Sequence, residues 1–449
     1  TGASDDEVIE ATLMDRRWQL VLDCLDTDQA PFSKGTFVVF RKRLIEAQMD
    51  RRLIEQTIEL ASHTQKFGPR ALRAALDSSP LWGAGRVEDT INLIGHALKK
   101  LIGVVAEQQG RELVEVGQEA GAEMVCGSSL KAALDWDWDQ SRQREEALGV
   151  VLRVLQAVGT WMQTLPQNEV ELAKPSLEIA RQVKEKDVQI DEHGQAHLIK
   201  DVAKDRRISI EDAEMRHGRK SCSVRVDGYK RHVLHDLDTG LIRAVGNTPA
   251  NVPEASVTEA ISSDLARQAV SLRELHIDRA YLSSRLVRER SDELEVYCKA
   301  WPVRSGKHFH KQAFTLDWDR QTIRCPAEQE MPFQPGGIVH FRTEICAQCP
   351  LRAQCTTSAK GCSVSIHPDE VMLIELRKRQ QTSQGRARLR ERVAVEHTLA
   401  HVGRWQGRRA RCYHGVRKNL FDLRRCAVVH NLHVVARSHL LQADLQDAA

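Results

Sequence analysis

Apolar positions recur at three- and four-residue spacing over residues 14–25, and the turn Ala30-Pro31-Phe32-Ser33 interrupts them. They resume at Phe37, Val38, Phe40, Leu44 and Ile45, then at Leu53, Ile54, Ile58 and Leu60. This predicts a helical N-terminal domain over 1–68, trimmed at its start because the chain begins with Thr1. Residues 71–76 form a short apolar run that reaches Asp77-Ser78-Ser79-Pro80, and the Ser-Ser-Pro predicts the end of a strand there. From Val87 the helical spacing returns at Ile91, Ile94, Leu98, Leu101, Ile102 and Val105. It reappears over 145–162 beyond an acidic linker around Trp136 and Trp138, and a charged, mixed composition over 174–207 predicts a boundary.

After Ser221 the period becomes two. Val224, Val226, His232 and Leu234, the turn Asp236-Leu237-Asp238-Thr239-Gly240, and the run 241–245 predict an antiparallel hairpin. A helix over 254–269 and a buried strand over 272–277, ending at Asp278, follow it. Residues 302–367 are short-stranded, turn-rich and Cys-rich, and helices are predicted over 370–379, 384–403 and 419–437. The resulting class is α/β. A sheet core is entered at 69–85, interrupted by a helical insertion over 86–200, resumed over 201–295, interrupted by a Cys-rich β insertion over 296–371 and completed by 372–440, with 441–449 as a tail.

Composition narrows the class. With 449 residues, 41% hydrophobic and 28% charged, the chain is neither disordered nor low-complexity. No apolar run of spanning length occurs, since the best stretch, 154–165, is short and contains Gln156, Thr160 and Gln163, so no membrane role is expected. No secretion signal is read at the start, and eleven cysteines are an odd count in a chain too long to be stapled by them. A reducing, cytoplasmic location is expected. The net charge is +3, but over 377–425 fifteen Arg and Lys face only Glu391, Glu396 and Asp422, giving +12 there and −9 elsewhere. A basic face on a mildly acidic body is the footprint of a nucleic-acid site, the plain alternative being a solvated Arg-rich helix.

Three carboxylates stand at informative places: Asp77 and Asp278 at strand ends, and Glu396 on the basic helix. Converging carboxylates repel one another and need counter-charge, which a pair of Mg²⁺ (or Mn²⁺) ions supplies. Arg404, Arg408, Arg409, Arg411, Arg417 and Lys418 flank Trp405 and Tyr413, a mixture suited to phosphates and unpaired bases, although Trp405 serves helix packing equally well. His397 and His401 lack the H-E-x-x-H order of a zinc pair and read as DNA-facing or core residues. Cys325, the pair Cys346-x2-Cys349, and Cys355 have the spacing of a tetrahedral thiolate site. Zinc is the first choice there, with an iron-sulfur cluster and plain buried thiols as alternatives. Cys298, Cys362, Cys412 and Cys426 are not needed for it.

The segments ALDSSPLWGAGRVEDT, GYKRHVLHDLDTGLI followed by TPAN, LHIDRAYLSS, and RVAVEHTLAHVGRW followed by YHGVRKNLFDLRRCAVVHNL resemble, in that order, the catalytic segments of bacterial insertion-sequence transposases of the DDE class. The resemblance runs from about residue 30 to 437, and FSKGTFVVFRKRLIEAQMDRRLIE is similar to the helical domain that recognises element ends in these proteins. It implies an RNase H-like mixed-sheet core with Asp77, Asp278 and Glu396 as the three metal-binding acids, Asp227 and Asp236 competing with Asp77 for the first place. Of the helix signature Tyr-x2-Arg-x3-Glu-x6-Lys, Arg392 and Glu396 are present, while Leu389 and Gly403 take the Tyr and Lys positions and Arg404 follows one residue later. The implied activity is DNA cleavage at element ends and strand transfer into target DNA by a homo-oligomer on double-stranded DNA, associated with the nucleoid. A nuclease that does not join, or a DNA-binding regulator without chemistry, are the rival readings.

Overall fold

The computed structural model describes residues 3–63, 67, 70–134, 136–199, 205–220, 223–301, 306–410 and 413–447, with side chains to Ser438. The chain opens with α1 (Asp5–Met14), α2 (Arg16–Val21), α3 (Lys34–Glu46) and α4 (Met49–Ser62). The first helix lies earlier than apolar spacing predicts. Ser4 and Glu7 form a reciprocal capping box, and Asp5, Asp6 and Glu7 suit the positive end of a helix, so polar residues set its start. Asp15 then caps α2, and Ser33 caps α3 at the predicted turn.

β1 (Leu72–Trp82) leads into a helical block of α5 (Thr90–Gln109), α6 (Leu113–Glu119), α7 (Leu130–Leu134), α8 (Ser141–Trp161) and α9 (Gln167–Asp187). This block has a core of its own, in which Leu98, Leu101 and Val105 meet Leu148, Val151, Leu177 and Val183. The boundary expected from residue 174 falls inside α9, which continues past Pro175 because Ala173, Leu177, Ala180 and Val183 are buried on both sides of it. A small hairpin, β2 (Val188–Ile190) and β3 (Ala196–Leu198), closes the block.

The sheet resumes with β4 (Arg216–Arg219), β5 (Arg225–Asp236), β6 (Ile242–Pro249), β7 (Leu272–Ile277) and β8 (Glu295–Tyr297). β1 lies at its centre, antiparallel to β5 on one side and parallel to β7 on the other. β8 is parallel to β7, while β4 and β6 pair antiparallel with β5. β1 outruns its predicted end at Leu76. The amide of Trp82 points away from β5 and donates to the Arg408 carbonyl at 2.9 Å, so the alternate position Pro80 also turns its nitrogen away from β5. β7 pairs with β1 only to Leu76, and the missing proline N–H therefore leaves no ladder position empty. Gly228, opposite Trp82, has φ +153°, and a Cβ there would come within 2.3 Å of the Gly83 nitrogen.

One sheet face, with Leu76, Leu234 and Ile277, lies under α10 (Thr258–Arg267) and, later, α14 (Glu370–Gln381). After α11 (Arg285–Arg288), the strands β9 (Thr315–Asp317), β10 (Thr322–Arg324), β11 (Glu330–Pro332), β12 (Ile338–His340) and β13 (Ser363–Ser365), with α12 (Thr343–Ala347) and α13 (Arg352–Cys355), form a small module. Its core includes Phe314, Ile323, Phe333, Phe341 and Ile366. The helix predicted over 384–403 is two helices, α15 (Ser383–Glu391) and α16 (Val393–Gln406), with Arg392 at the break. α16, α4 and α17 (Val416–Asp447) cover the other sheet face, where Ala75, Val233 and Val245 meet Ile54, Val395, Leu399 and Leu423. Among the described residues no helix is long and apolar enough to cross a membrane.

Candidate active site

Strand alternation aims the first acid. Ala75 faces α16, so Asp77, two residues on, projects to the same side. Leu76 pairs in parallel with Ile277, and both face α10. Asp278, next after Ile277, therefore emerges beside Asp77 on the α16 side, and Glu396 stands in the first turn of α16. Asp77 is 9% exposed, Asp278 is half-buried and the Glu396 side chain is 49% exposed.

Arg392 bridges Asp77 and Glu396. One guanidinium nitrogen bonds to Asp77 Oδ2 and the other reaches Glu396 Oε1 at 2.7 Å. The Ser78 amide donates to Asp77 Oδ1 at 2.8 Å and the Ala280 amide to Asp278 Oδ1 at 2.9 Å. Burial nevertheless pushes the Asp77 carboxyl above its ordinary range; Arg392 and the Ser78 amide oppose that push, while Asp278 and Glu396 add repulsion. Burial and then Glu254 push Asp278 upward against the Ala280 amide, Arg392 and Arg279. Beside these acids a cleft of 520 Å³ is lined by Asp278, Glu396, Arg279, Lys299, Arg386 and Arg390. Acids that need cations thus adjoin cations that need anions.

Residues 324–436 match the family model described as a transposase DDE domain. Over that segment the chain is similar to the DDE domain of transposases. The match takes in Glu396 and the thiol segment, and a transposase DDE domain belongs to an enzyme that acts on DNA. No curated protein and no solved structure matches the chain.

Asp227 and Asp236, the expected competitors of Asp77, are engaged elsewhere. Asp227 bonds to His217 at 2.6 Å and to Arg225 at 3.0 Å, and buried Asp236 is held by Arg243 at 2.8 Å. Two residues that sequence reading missed stand close to the acids. Glu254 lies three positions beyond the TPAN segment, and buried Tyr281 has its hydroxyl 2.8 Å from His232 Nδ1. The opposite ring nitrogen of His232 is 3.0 Å from Thr248 Oγ1, and burial depresses the imidazole to about 3, so a neutral polar chain backs the acids. Tyr281 was legible as part of LHIDRAYLSS, but only the sheet register shows that it lies behind Asp77.

The basic set divides. Arg404, Arg408, Arg409 and Lys418 are exposed, as a DNA contact requires. Arg392 and Arg417, expected there too, turn inward: Arg392 to the acids, Arg417 to Asp50 at 2.6 Å and to the Ile45 carbonyl. Arg411 lies outside the described residues. Of the other cations over 377–425, Arg377 pairs with Glu370, Arg388 with Glu274 and Glu391, Arg424 with Asp50, and Arg425 with Asp422. The charge of +12 along the chain is thus partly cancelled in space by acids from other segments. Trp405 is half-buried, with its ring centroid 5.6 Å from that of His433 and 6.3 Å from that of His401, which favours packing over base stacking.

The four expected thiols, Cys325, Cys346, Cys349 and Cys355, line one cavity of 510 Å³ in the β9–β13 module. Cys362, set aside by spacing, lines it too, because β13 folds back beside β12. Among the described residues no three His, Cys, Asp or Glu side chains are drawn together tightly enough to hold an ion, at the thiols or at the acids.

Proposed function

We propose that the chain is an insertion-sequence DDE transposase with an RNase H-like core, which cleaves DNA at the ends of an element and joins the freed 3′ ends to target DNA. The observation that carries this reading is the parallel register of β1 and β7, which sets Asp77 beside Asp278 under the helix bearing Glu396. A central strand with an antiparallel hairpin on one side and two parallel strands on the other is the arrangement that an RNase H-like core requires. Residues 86–200 and 296–371 are read as insertions into it, and 1–68 as the end-recognition domain, acting on double-stranded DNA in a homo-oligomer.

The donor set fits Mg²⁺ or Mn²⁺, being carboxylate oxygens alone, and the bridging guanidinium of Arg392 marks where these acids need positive charge. Asp77, Asp278 and Glu396 would hold a pair of such ions, which when bound activate the attacking water or hydroxyl and stabilise the leaving oxygen. The remaining steps belong to the chain. Arg392, once its carboxylates are otherwise neutralised, is released toward phosphate. Lys299, Arg279 and Arg390 hold the backbone in the cleft. In cleavage, water attacks phosphorus and the 3′ oxygen leaves with a proton. In joining, that 3′ hydroxyl loses its proton, attacks a target phosphorus and expels a target 3′ oxygen.

A donor-plus-target assay with Mg²⁺ or Mn²⁺ tests the reading. Wild-type protein is expected to give joined product, and Asp278→Asn none, with DNA affinity within a few fold of wild type. Cleavage without joining would make the chain a nuclease, and DNA binding without cleavage in either metal would make it a regulator.

A further inference from the structure

The β9–β13 module has little to hold it together. Each of its strands is three residues long, and its core holds a handful of aromatic and aliphatic side chains. A unit this small ordinarily needs a staple. Five of the chain's eleven cysteines line a single cavity in it, an arrangement that hydrophobic packing alone does not call for.

The local backbone turns the thiols inward. The Glu328 amide bonds to the Cys325 carbonyl at 2.9 Å, so Cys325 opens a tight turn. The Cys349 amide bonds to the Cys346 carbonyl at 3.4 Å, folding the Cys346-x2-Cys349 pair into a second turn that can grip one ion from two sides. Cys355 ends α13 and lines the same cavity. Gly361 has φ +85°, and a Cβ on it would come within 3.4 Å of Cys346 Sγ, so the backbone itself fills the floor beside that sulfur. The Cys362 carbonyl accepts from the Phe341 amide at 3.0 Å, which fixes Cys362 in the core behind the cavity, 8% exposed and against Cys355.

We propose that Cys325, Cys346, Cys349 and Cys355 bind one zinc ion as thiolates, and that Cys362 is a positioning residue behind Cys355. Binding would draw the four thiols of the cavity together, and each ligand would give up its thiol proton to solvent. Zinc is chosen because four soft sulfur donors suit a tetrahedral d¹⁰ ion. Cys362 orients its neighbour as an outer-shell group does. The site is separate from the acids, so its test does not depend on transposition.

Full-length protein purified in reductant without chelator is expected to carry one equivalent of zinc, and cobalt in place of zinc to give the intense visible bands of tetrahedral thiolate coordination. Cys346→Ser and Cys349→Ser should each reduce bound zinc below half an equivalent, while Cys24→Ser should leave it unchanged. Cys362→Ala should keep the stoichiometry but weaken affinity about tenfold against a competing chelator. Less than half an equivalent in wild type together with no thiolate bands on adding cobalt would overturn the site, and so would iron with acid-labile sulfide. Complete loss of zinc in Cys362→Ala would overturn the role given to that residue.

Discussion

Asp77 and Asp278 lie on strands separated by the whole helical block and meet because β1 and β7 run parallel in register, with α16 laid over them. Cys325, Cys346, Cys349, Cys355 and Cys362 lie within one short segment and meet because tight turns and one small β pair fold it back on itself. Long-range register builds the first site and local turns build the second. The acid cleft therefore inherits the stability of the entire sheet, and little short of unfolding can disperse it. The thiol module, with a small core of its own, is expected to come apart while the sheet stands.

The largest effect that follows is on activity. Asp77→Asn and Glu396→Gln should each reduce cleavage to background, and combining them should cost nothing more, because acids that act as a unit are non-additive. Cys346→Ser should leave the main unfolding transition in place and open only the module, seen as new proteolytic cuts within 306–365. If Cys346→Ser instead lowered the main transition as far as a core substitution does, the two regions would not be independent.

Next in size is a test of what fastens α17 to the N-terminal helices. Asp50 is 1% exposed and accepts from Arg417 at 2.6 Å and from Arg424 at 3.1 Å. Asp50→Ala leaves the Arg424 guanidinium buried without that partner, a change that typically costs about 3–5 kcal/mol. Denaturant unfolding should show it, and a loss under about 1 kcal/mol would mean that Asp264 already neutralises Arg424.

A smaller effect separates the outward cations from the inward ones. Arg408 and Arg409 are exposed, whereas the Arg417 guanidinium is tied to Asp50. Replacing the first two together by Ala should reduce the magnitude of the slope of log affinity against log salt by about 2, equally for all DNA sequences, since each phosphate contact contributes roughly 0.9. Arg417→Ala should lower Tm and leave the slope alone. The reverse pattern would place the DNA path along the N-terminal helices.

These tests follow the line between what the sequence reveals and what it conceals. The hairpin around Gly240 was readable because period two and a turn are local signals, and 272–277 because it reads as a short buried strand ending at Asp278. Asp77, Asp278 and Glu396 were singled out through family-like segments, since nothing local distinguishes Asp77 from Asp236; that Asp77 stands beside Asp278 depends on which residue of β1 pairs with Ile277. The charge run overstates the outward charge for the same reason. Counting along the chain cannot see Asp50, Asp77, Glu274 and Glu370 arriving from other segments to neutralise it. Cys362 was passed over because its place beside Cys355 depends on the pairing of β12 with β13.

The subtlest expected effect lies in the acid cleft itself. Burial and Glu254 raise the Asp278 carboxyl above its unfolded value, and Arg392, Arg279 and the Ala280 amide do not fully offset them. Between the unfolded and the raised folded values the native state holds more protons than the unfolded one, so stability is lost as pH rises through that window and stays lower at neutral pH. Asp278→Asn cannot ionise and keeps an oxygen for the Ala280 amide. In chelator at neutral pH the variant should therefore melt slightly above wild type, and the gap should close as pH falls below the ordinary Asp value of 3.8, where both states of the wild type are protonated. Adding Mg²⁺ should then raise the Tm of wild type more than that of the variant, because the charge that weakens the metal-free cleft is the charge that would bind the ion. A variant less stable than wild type in chelator at neutral pH would mean that Arg392 and Arg279 already satisfy Asp278, and that the cleft stores no unmet demand for a cation.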